Sequence, residues 1–138
     1  KGLLVITNAL SIVNLMANHN IRTMMVGGEV FKSDMSAVGS WSELCLSNIT
    51  ADIAFIGATG LNSLYGPSVE NFLESNVKNA MIQHSKSCYV IADSSKCSSI
   101  SLVQFSNWQD ITGLITDADA SPSFLEKVGK ETNIILSE

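Results

Sequence analysis

Short apolar runs alternate with longer amphipathic segments along this chain, and that order constrains the fold more than any other feature of the sequence. The runs are apolar at consecutive positions, which is typical of strands in a parallel sheet that is covered on both faces. Six of them are strand candidates: residues 3–6, 23–26, 53–56, 88–92, 111–115 and 134–136.

The segments between these runs carry apolar residues at helical spacing. Helices are predicted from near Ser11, from near Ser40 and over residues 73–84. Ser121 followed by Pro122 predicts the N-cap and the first position of a last helix.

Strands that alternate with helices predict one α/β domain over residues 1–138, with a mainly parallel, Rossmann-like sheet. The length is sufficient to bury a core without a disulfide or a metal. The serine-rich residues 94–106 are interrupted by apolar side chains, and we expect an ordered, irregular excursion there.

The charge balance is acidic, with 8 basic against 13 acidic side chains and a net charge of −5. Such a chain is a poor candidate for binding nucleic-acid phosphates directly. It also lacks an apolar run of about 18 residues, so no membrane-spanning helix and no membrane partner are expected.

The cysteines indicate a reducing compartment, because they are three in number and form no Cys-x-x-Cys pair. Cys45 and Cys88 lie in apolar patterns and are expected in the core, whereas Cys97 is expected at the surface. His19 and His84 are too isolated to form a zinc site with these thiols, so no metal is expected.

Small and polar residues follow four of the predicted strands, where a parallel sheet places its ligand site. They are Thr7 and Asn8, then Gly27 and Gly28, then Gly57, Thr59 and Gly60, and finally Asp93, Ser94, Ser95 and Lys96. Glycines allow a ligand to approach the backbone closely, and a following helix N-terminus favours an anion. Lys96 adds one positive charge.

Each of these signals also has a plain structural interpretation. Gly27-Gly28 is compatible with a simple turn, and Thr7-Asn8 with the start of a helix. Residues 93–95 are compatible with a turn or a cap. Glu74 and Lys78, four residues apart, are compatible with an exposed helical ion pair.

Several motifs in order make the chain resemble the effector domain of DeoR-type bacterial transcription regulators. They are Thr7-Asn8, Gly27-Gly28, Val38-Gly39, Ala51-Asp52 before Phe55-Ile56-Gly57, the helix with Glu74, Val77, Lys78 and Met81, Ala92-Asp93-Ser94-Ser95-Lys96, and Leu114-Ile115-Thr116-Asp117. The resemblance covers nearly the whole chain, and residues 92–96 are its most specific part.

The resemblance implies a three-layer α/β fold similar to ribose-5-phosphate isomerase and coenzyme A transferases. It also implies a cytoplasmic sensor that binds a phosphorylated sugar or related anionic metabolite, without a cofactor or a catalytic residue. Operator DNA is then contacted by an N-terminal winged helix-turn-helix, and the protein is a homo-oligomer, dimer or tetramer. The family's first strand and its glycine-threonine-threonine-like loop are expected to be missing from this chain, as is the winged helix-turn-helix.

The ligand set carried by the resemblance and the strand ends is Thr7, Asn8, Gly27, Gly28, Gly57, Thr59, Gly60, Glu74, Asp93, Ser94, Ser95 and Lys96. Thr59 departs from the family, in which many members have an acidic residue, and it cannot act as a general base at neutral pH.

Two other functions stay open at this point. A sugar-phosphate isomerase would have to use Asp93, Glu74 and Lys96 for its chemistry. An oligomerisation module with a degenerate pocket is the second alternative.

Overall fold

The computed structural model describes residues 2–62 and 65–137, and its contacts group into two compact units, Lys1–Ile49 and Thr50–Glu138. Among the described residues, no helix has both the length and the apolar character needed to cross a membrane.

Within its described residues, the first unit contains four strands and two helices. They are β1 (Leu4–Thr7), α1 (Leu10–Asn18), β2 (Arg22–Met25), β3 (Glu29–Phe31), β4 (Ser36–Val38) and α2 (Ser40–Ser47). β1 and β2 are parallel, with Thr7 opposite Met25, so both strands end at the same edge. β3 and β4 form an antiparallel hairpin.

The second unit is built on a parallel sheet of four strands, in the order β10-β9-β7-β5. Its elements are β5 (Ala54–Gly57), β6 (Ser68–Val69), α3 (Phe72–Gln83), β7 (Cys88–Ile91), β8 (Val103–Gln104), β9 (Gly113–Asp117), α4 (Pro122–Gly129) and β10 (Asn133–Ser137). β6 and β8 pair antiparallel to one another. The described part of this unit also contains the 3₁₀ turns Ser94–Lys96 and Trp108–Asp110.

The core of the second unit lies on one face of this sheet. Ile56, Val90 and Leu114 project from three neighbouring strands and are almost fully buried with Leu61 and Val128. Burying one such aliphatic side chain stabilises the fold by about 1.5–3 kcal/mol. This packing holds the strand ends, and so the residues that follow them, in place.

The predicted α/β class with mainly parallel strands is confirmed, and a described strand corresponds to each of the six apolar runs. Ser121 caps α4 as predicted, because its Oγ accepts a hydrogen bond from Phe124 N at 3.3 Å, with Pro122 at the first helical turn. The 94–106 segment is ordered, with one 3₁₀ turn and the short β8.

Burial on both faces was the wrong expectation for β5 and β7. Phe55 and Ile91 are exposed, and Phe55 stacks on Tyr89 with ring centroids 6.0 Å apart. A continuous apolar run shows that a strand is apolar, but it does not show that a second layer covers it.

Two cysteine predictions were also wrong. Cys45 is exposed on α2, and Cys97 is buried beside the 94–96 turn; only Cys88 lies in the core as expected. The interpretation of Glu74 and Lys78 as an exposed pair fails as well, because Glu74 is buried.

Candidate ligand site at the carboxyl ends of the strands

The register of the second unit brings three strand ends to one edge. Gly57 lies opposite Ile91, and Ile91 lies opposite Ile115. The residues that follow these strands, including Thr59, Lys96 and the end of β9, therefore share that edge. The predicted convergence of residues 57–60 with residues 93–96 follows from this register.

The 94–96 turn is held by two carboxylates. Asp93 Oδ1 accepts hydrogen bonds from the N–H of Ser95, at 2.9 Å, and from the Ser95 hydroxyl. Asp117 Oδ2, at the end of β9, accepts a hydrogen bond from Ser94 N at 2.7 Å. The backbone N–H groups of both serines are thereby occupied, which supports the interpretation of Asp93 as a cap.

These hydrogen bonds also set the acidity of the two carboxyl groups. The Ser95 hydroxyl, followed by the Ser95 N–H, holds the pKa of Asp93 below its usual value, with a smaller contribution from Lys96. The Ser94 N–H, followed by its hydroxyl, lowers the pKa of Asp117. Both carboxylates stay charged at neutral pH because the bonds favour the ionised form.

Lys96 is the cation of this edge. Its backbone is fixed at both ends, since its N–H donates to Asp93 O and its carbonyl accepts from Leu61 N, each at 3.0 Å. Among the described residues, Lys86–Asp52 and Lys130–Glu126 are ion pairs, and Lys96 belongs to neither of them; its attraction to the Asp93 carboxylate is a minor contribution to the low pKa of that group. A half-buried lysine on a fixed backbone can bind an anion.

Thr59 lies on the loop after β5, next to β6. Its N–H donates to Ser68 O at 3.1 Å, and its Oγ1 lies 3.2 Å from the same carbonyl and 2.8 Å from Ser101 Oγ. Ser101 in turn donates to Glu70 Oε1 at 3.2 Å. The loop thus presents an exposed residue, Thr59, whose hydroxyl is fixed in position by several partners.

The two glycines of this edge differ in what surrounds them. A Cβ on Gly57 would meet nothing within 4 Å. A Cβ on Gly60 would lie 2.7 Å from Ser99 O and 2.9 Å from Ser101 N. Gly60 is therefore required by packing, whereas Gly57 leaves open space at the end of β5.

Glu74 lies in the first turn of α3 and is buried. Asn71 caps this helix, because its Oδ1 accepts from Glu74 N at 3.0 Å and its Nδ2 donates to Glu74 Oε2 at 3.3 Å. This reciprocal capping gives Glu74 a structural role in starting the helix.

The first unit brings its own predicted residues together at the ends of β1 and β2. Asn8 Nδ2 donates to Ala37 O at 2.9 Å, and Thr7 Oγ1 accepts from Ala9 N at 3.1 Å. Thr7 also fixes the second strand end, since its carbonyl accepts from Val26 N at 2.8 Å. Both side chains support the start of α1 and its contact with β4.

Gly27 and Gly28 follow β2, and only one of the two is required by packing, as was the case for Gly57 and Gly60. Gly28 has φ +151°, and a Cβ there would clash with Ser42 Oγ and lie 2.6 Å from the backbone oxygen of Val38, so only glycine fits. A Cβ on Gly27 would meet nothing within 4 Å, while its carbonyl accepts from Ser42 Oγ at 2.6 Å.

Asp117, Ser101 and Glu70 were not among the predicted site residues. Asp117 had a usable signal, because it is the polar residue that ends an apolar strand. Ser101 and Glu70 had none: they reach Thr59 from segments 42 and 11 positions along the chain. The edge formed by the ends of β5, β7 and β9, with the residues that follow β5 and β7, is called the ligand edge below. Among the described residues, no group of three or more His, Cys, Asp or Glu side chains is arranged to hold a metal.

At this edge the described residues bring together the Lys96 ammonium, the carboxylates of Asp93 and Asp117 and the Thr59 hydroxyl, at the end of a parallel α/β sheet where such folds place a ligand site. The chain belongs to the DeoR C terminal sensor domain family, whose family model matches residues 1–118.

Curated relatives are regulators by name. The chain is similar to the HTH-type transcriptional repressor GlcR of Bacillus subtilis, with 30% identity over 88% of this chain and 47% of the relative. An uncharacterized HTH-type transcriptional regulator of Haemophilus influenzae is 39% identical over 70% of this chain and 38% of its own length. The glycerol-3-phosphate regulon repressor of Escherichia coli is 25% identical over 91% and 50%. The chain therefore spans about half the length of these relatives, or less.

Proposed function

We propose that this chain is the metabolite-sensing domain of a transcription regulator and binds a phosphorylated sugar or a related anionic metabolite at the carboxyl ends of its strands. The observation that carries the proposal is the Lys96 ammonium, which lies on a fixed turn at the ligand edge of a family sensor domain and outside the described ion pairs. Lys96 binds an anionic oxygen of the ligand, and the carboxylates and hydroxyls around it accept hydrogen bonds from ligand hydroxyls.

The hydrogen bonds of the edge refine the role of each residue. Ser94 and Ser95 act by supporting the turn, because their N–H groups are held by Asp117 and Asp93. Gly57 leaves room for the ligand over the end of β5. Thr7, Asn8, Gly27 and Gly28 stay predictions for the first unit.

Regulation of transcription by this domain is indirect. The net charge of −5 disfavours contact with DNA phosphates, so we assign operator binding to a winged helix-turn-helix outside this chain, in a cytoplasmic homo-oligomer. Relatives named as repressors of the glycerol-3-phosphate regulon and, in a putative case, of the aga operon support a link to the control of sugar catabolism. Ligand binding shifts the oligomer between two arrangements with different operator affinities.

The domain acts as a sensor and not as an isomerase. Of the two carboxylates that an isomerase would have to use, Glu74 is buried and bonded to Asn71 at the start of α3, which leaves Asp93 as the base that removes a proton next to a carbonyl. Its carboxylate instead holds Ser95, and the lowered pKa makes it a weaker base.

Titration calorimetry of the full-length protein tests the proposal. The probes are D-glucose 6-phosphate, D-ribose 5-phosphate, glycerol 3-phosphate, the unphosphorylated sugars and inorganic phosphate. We expect a phosphorylated compound to bind, and Lys96→Ala to weaken that binding at least about tenfold, because a hydrogen bond to a charged group contributes about 1.5–3 kcal/mol.

Lys127→Ala is the matched control. Lys127 is an exposed lysine of α4, and its substitution removes the same charge without touching the ligand edge. The proposal fails if none of the probes binds and Lys96→Ala leaves operator release unchanged.

A further inference from the structure

Three side chains from separate segments form a continuous hydrogen-bonded chain at the ligand edge of the second unit. Thr59 Oγ1 lies 2.8 Å from Ser101 Oγ, and Ser101 Oγ lies 3.2 Å from Glu70 Oε1. Thr59 Oγ1 also lies 3.2 Å from Ser68 O.

The Glu70 carboxylate ends this series of hydrogen bonds and fixes the direction of the hydroxyl protons. An ionised glutamate accepts hydrogen bonds and donates none, so the Ser101 hydroxyl donates to Glu70. Ser101 Oγ has a single proton, and it is then an acceptor in its 2.8 Å contact with Thr59. The Thr59 proton therefore points inward to Ser101 Oγ, or to Ser68 O, which is also only an acceptor.

The surrounding backbone keeps this arrangement rigid. Thr59 N and Gly60 N both donate to Ser68 O, at 3.1 and 3.2 Å. Ser101 N donates to the buried Ser68 Oγ at 3.0 Å. Because Thr59 is exposed while its proton is held inward, its Oγ1 offers only lone pairs to the outside.

The 94–96 turn also has its donors directed inward. The N–H groups and hydroxyls of Ser94 and Ser95 are held by Asp117 and Asp93, and the Lys96 N–H donates to Asp93 O, so the donor that residues 93–96 offer a ligand is the Lys96 ammonium. Acceptor atoms repel a phosphate oxygen and favour a ligand hydroxyl.

We propose that Thr59 is a specificity residue that accepts a hydrogen bond from a ligand hydroxyl, and that Glu70 is the positioning residue that fixes this polarity through Ser101. This inference rests on the proposed sensor function, and it names the part of the ligand that the loop after β5 binds. The ligand phosphate or other anionic group lies away from Thr59.

Thr59→Val and Thr59→Ser, made in the full-length protein and titrated with the phosphorylated compounds named above, test the first part. Valine has nearly the same shape and lacks the acceptor, so affinity for the sugar or polyol phosphate that binds falls about five- to tenfold. Serine keeps the hydroxyl and stays within about twofold of the wild type. Thermal unfolding checks that each variant is folded.

Glu70→Ala and Glu70→Gln test the second part, with inorganic phosphate measured as a competitor. Glu70→Ala removes the acceptor that orients the Ser101 and Thr59 hydroxyl protons, and it lowers affinity for the sugar or polyol phosphate about threefold. Binding of inorganic phosphate does not weaken, because the substitution removes a negative charge. Glu70→Gln recovers most of the loss, since its amide oxygen still accepts from Ser101.

Equal binding by wild type and Thr59→Val overturns the inference while the proposed function stands. A Glu70→Ala variant that loses affinity equally for the sugar phosphate and for inorganic phosphate also overturns it, because equal losses indicate a general structural effect. If the wild type binds none of the phosphorylated compounds, the inference fails; if Lys96→Ala also leaves operator release unchanged, the proposed function fails with it.

Discussion

The carboxylate of Asp117 accepts a hydrogen bond from the backbone N–H of Ser94 at 2.7 Å, and this contact ties the end of β9 to the turn that carries Lys96. Asp117, which lies 23 positions after Ser94 in the sequence, thereby fixes the backbone just before Lys96. The charge of Asp117 also makes the contact stronger than a bond between neutral groups.

Asp117→Asn tests this anchoring. The neutral amide oxygen accepts a weaker hydrogen bond, so the amides of residues 94–96 exchange hydrogen faster with solvent. The phosphorylated compound that binds the wild type is also expected to bind this variant more weakly, because the turn that carries Lys96 is held less firmly. Hydrogen exchange followed by mass spectrometry or NMR measures the first effect.

Asp119→Asn is the control, because it removes a nearby charge whose carboxylate accepts no hydrogen bond from the described side chains or backbone. Equal exchange rates at residues 94–96 in the two variants would contradict the anchoring role.

Acid sensitivity of the ligand edge follows from the same carboxylates. Hydrogen bonds lower the pKa of Asp93 and Asp117 in the folded protein. Such groups stabilise the fold above the ordinary aspartate pKa of about 3.9 and lose that contribution as the pH falls through the lowered value. The Tm difference between wild type and the Asp93→Asn/Asp117→Asn double variant should therefore shrink as the pH falls below about 4. A difference that is constant or grows toward acid pH would refute this.

Substitutions of Gly60 and Gly57 are expected to have different effects, the first on stability and the second on ligand binding. Gly60→Ala places a Cβ 2.7 Å from Ser99 O, and this overpacking lowers the free energy of unfolding by about 1–3 kcal/mol. Gly57→Ala meets no atom within 4 Å, so stability is unchanged while a ligand lying over β5 binds more weakly. Urea denaturation and calorimetry on both variants provide the comparison. Unaltered affinity in Gly57→Ala would place the ligand elsewhere.

Thiol reactivity provides a test of the burial of the cysteines. Cys45 is exposed, whereas burial raises the pKa of the Cys88 thiol to about 11 and also raises that of Cys97. The thiolate is the reactive form, so of these three cysteines only Cys45 reacts rapidly with a thiol reagent in the native protein. Cys45→Ser removes that fast phase, and Cys97→Ser leaves it in place. A fast phase that survives Cys45→Ser would show that Cys88 or Cys97 is accessible.

The sequence by itself determined the fold class, the order of the main elements and the Ser121-Pro122 helix start. These features depend on local propensity and on apolar periodicity, which are properties of neighbouring residues. The short strands β3, β4, β6 and β8 were missed because two or three residues carry no measurable period. The exposure of Cys45 and the burial of Cys97 were missed because composition around a cysteine does not show what packs on it.

Residues 57–60 and 93–96 could be placed at the ligand edge from sequence, since each follows an apolar strand and the carboxyl ends of parallel strands lie together. Only the tertiary structure decided which of these atoms are already engaged. Asp117 occupies the N–H of Ser94, and Glu70 acts on Thr59 through Ser101, across separations along the chain that no local pattern encodes. Hydrogen-bond partners of this kind are set by the packing of distant segments, so they appear only once the sheet has brought those segments together.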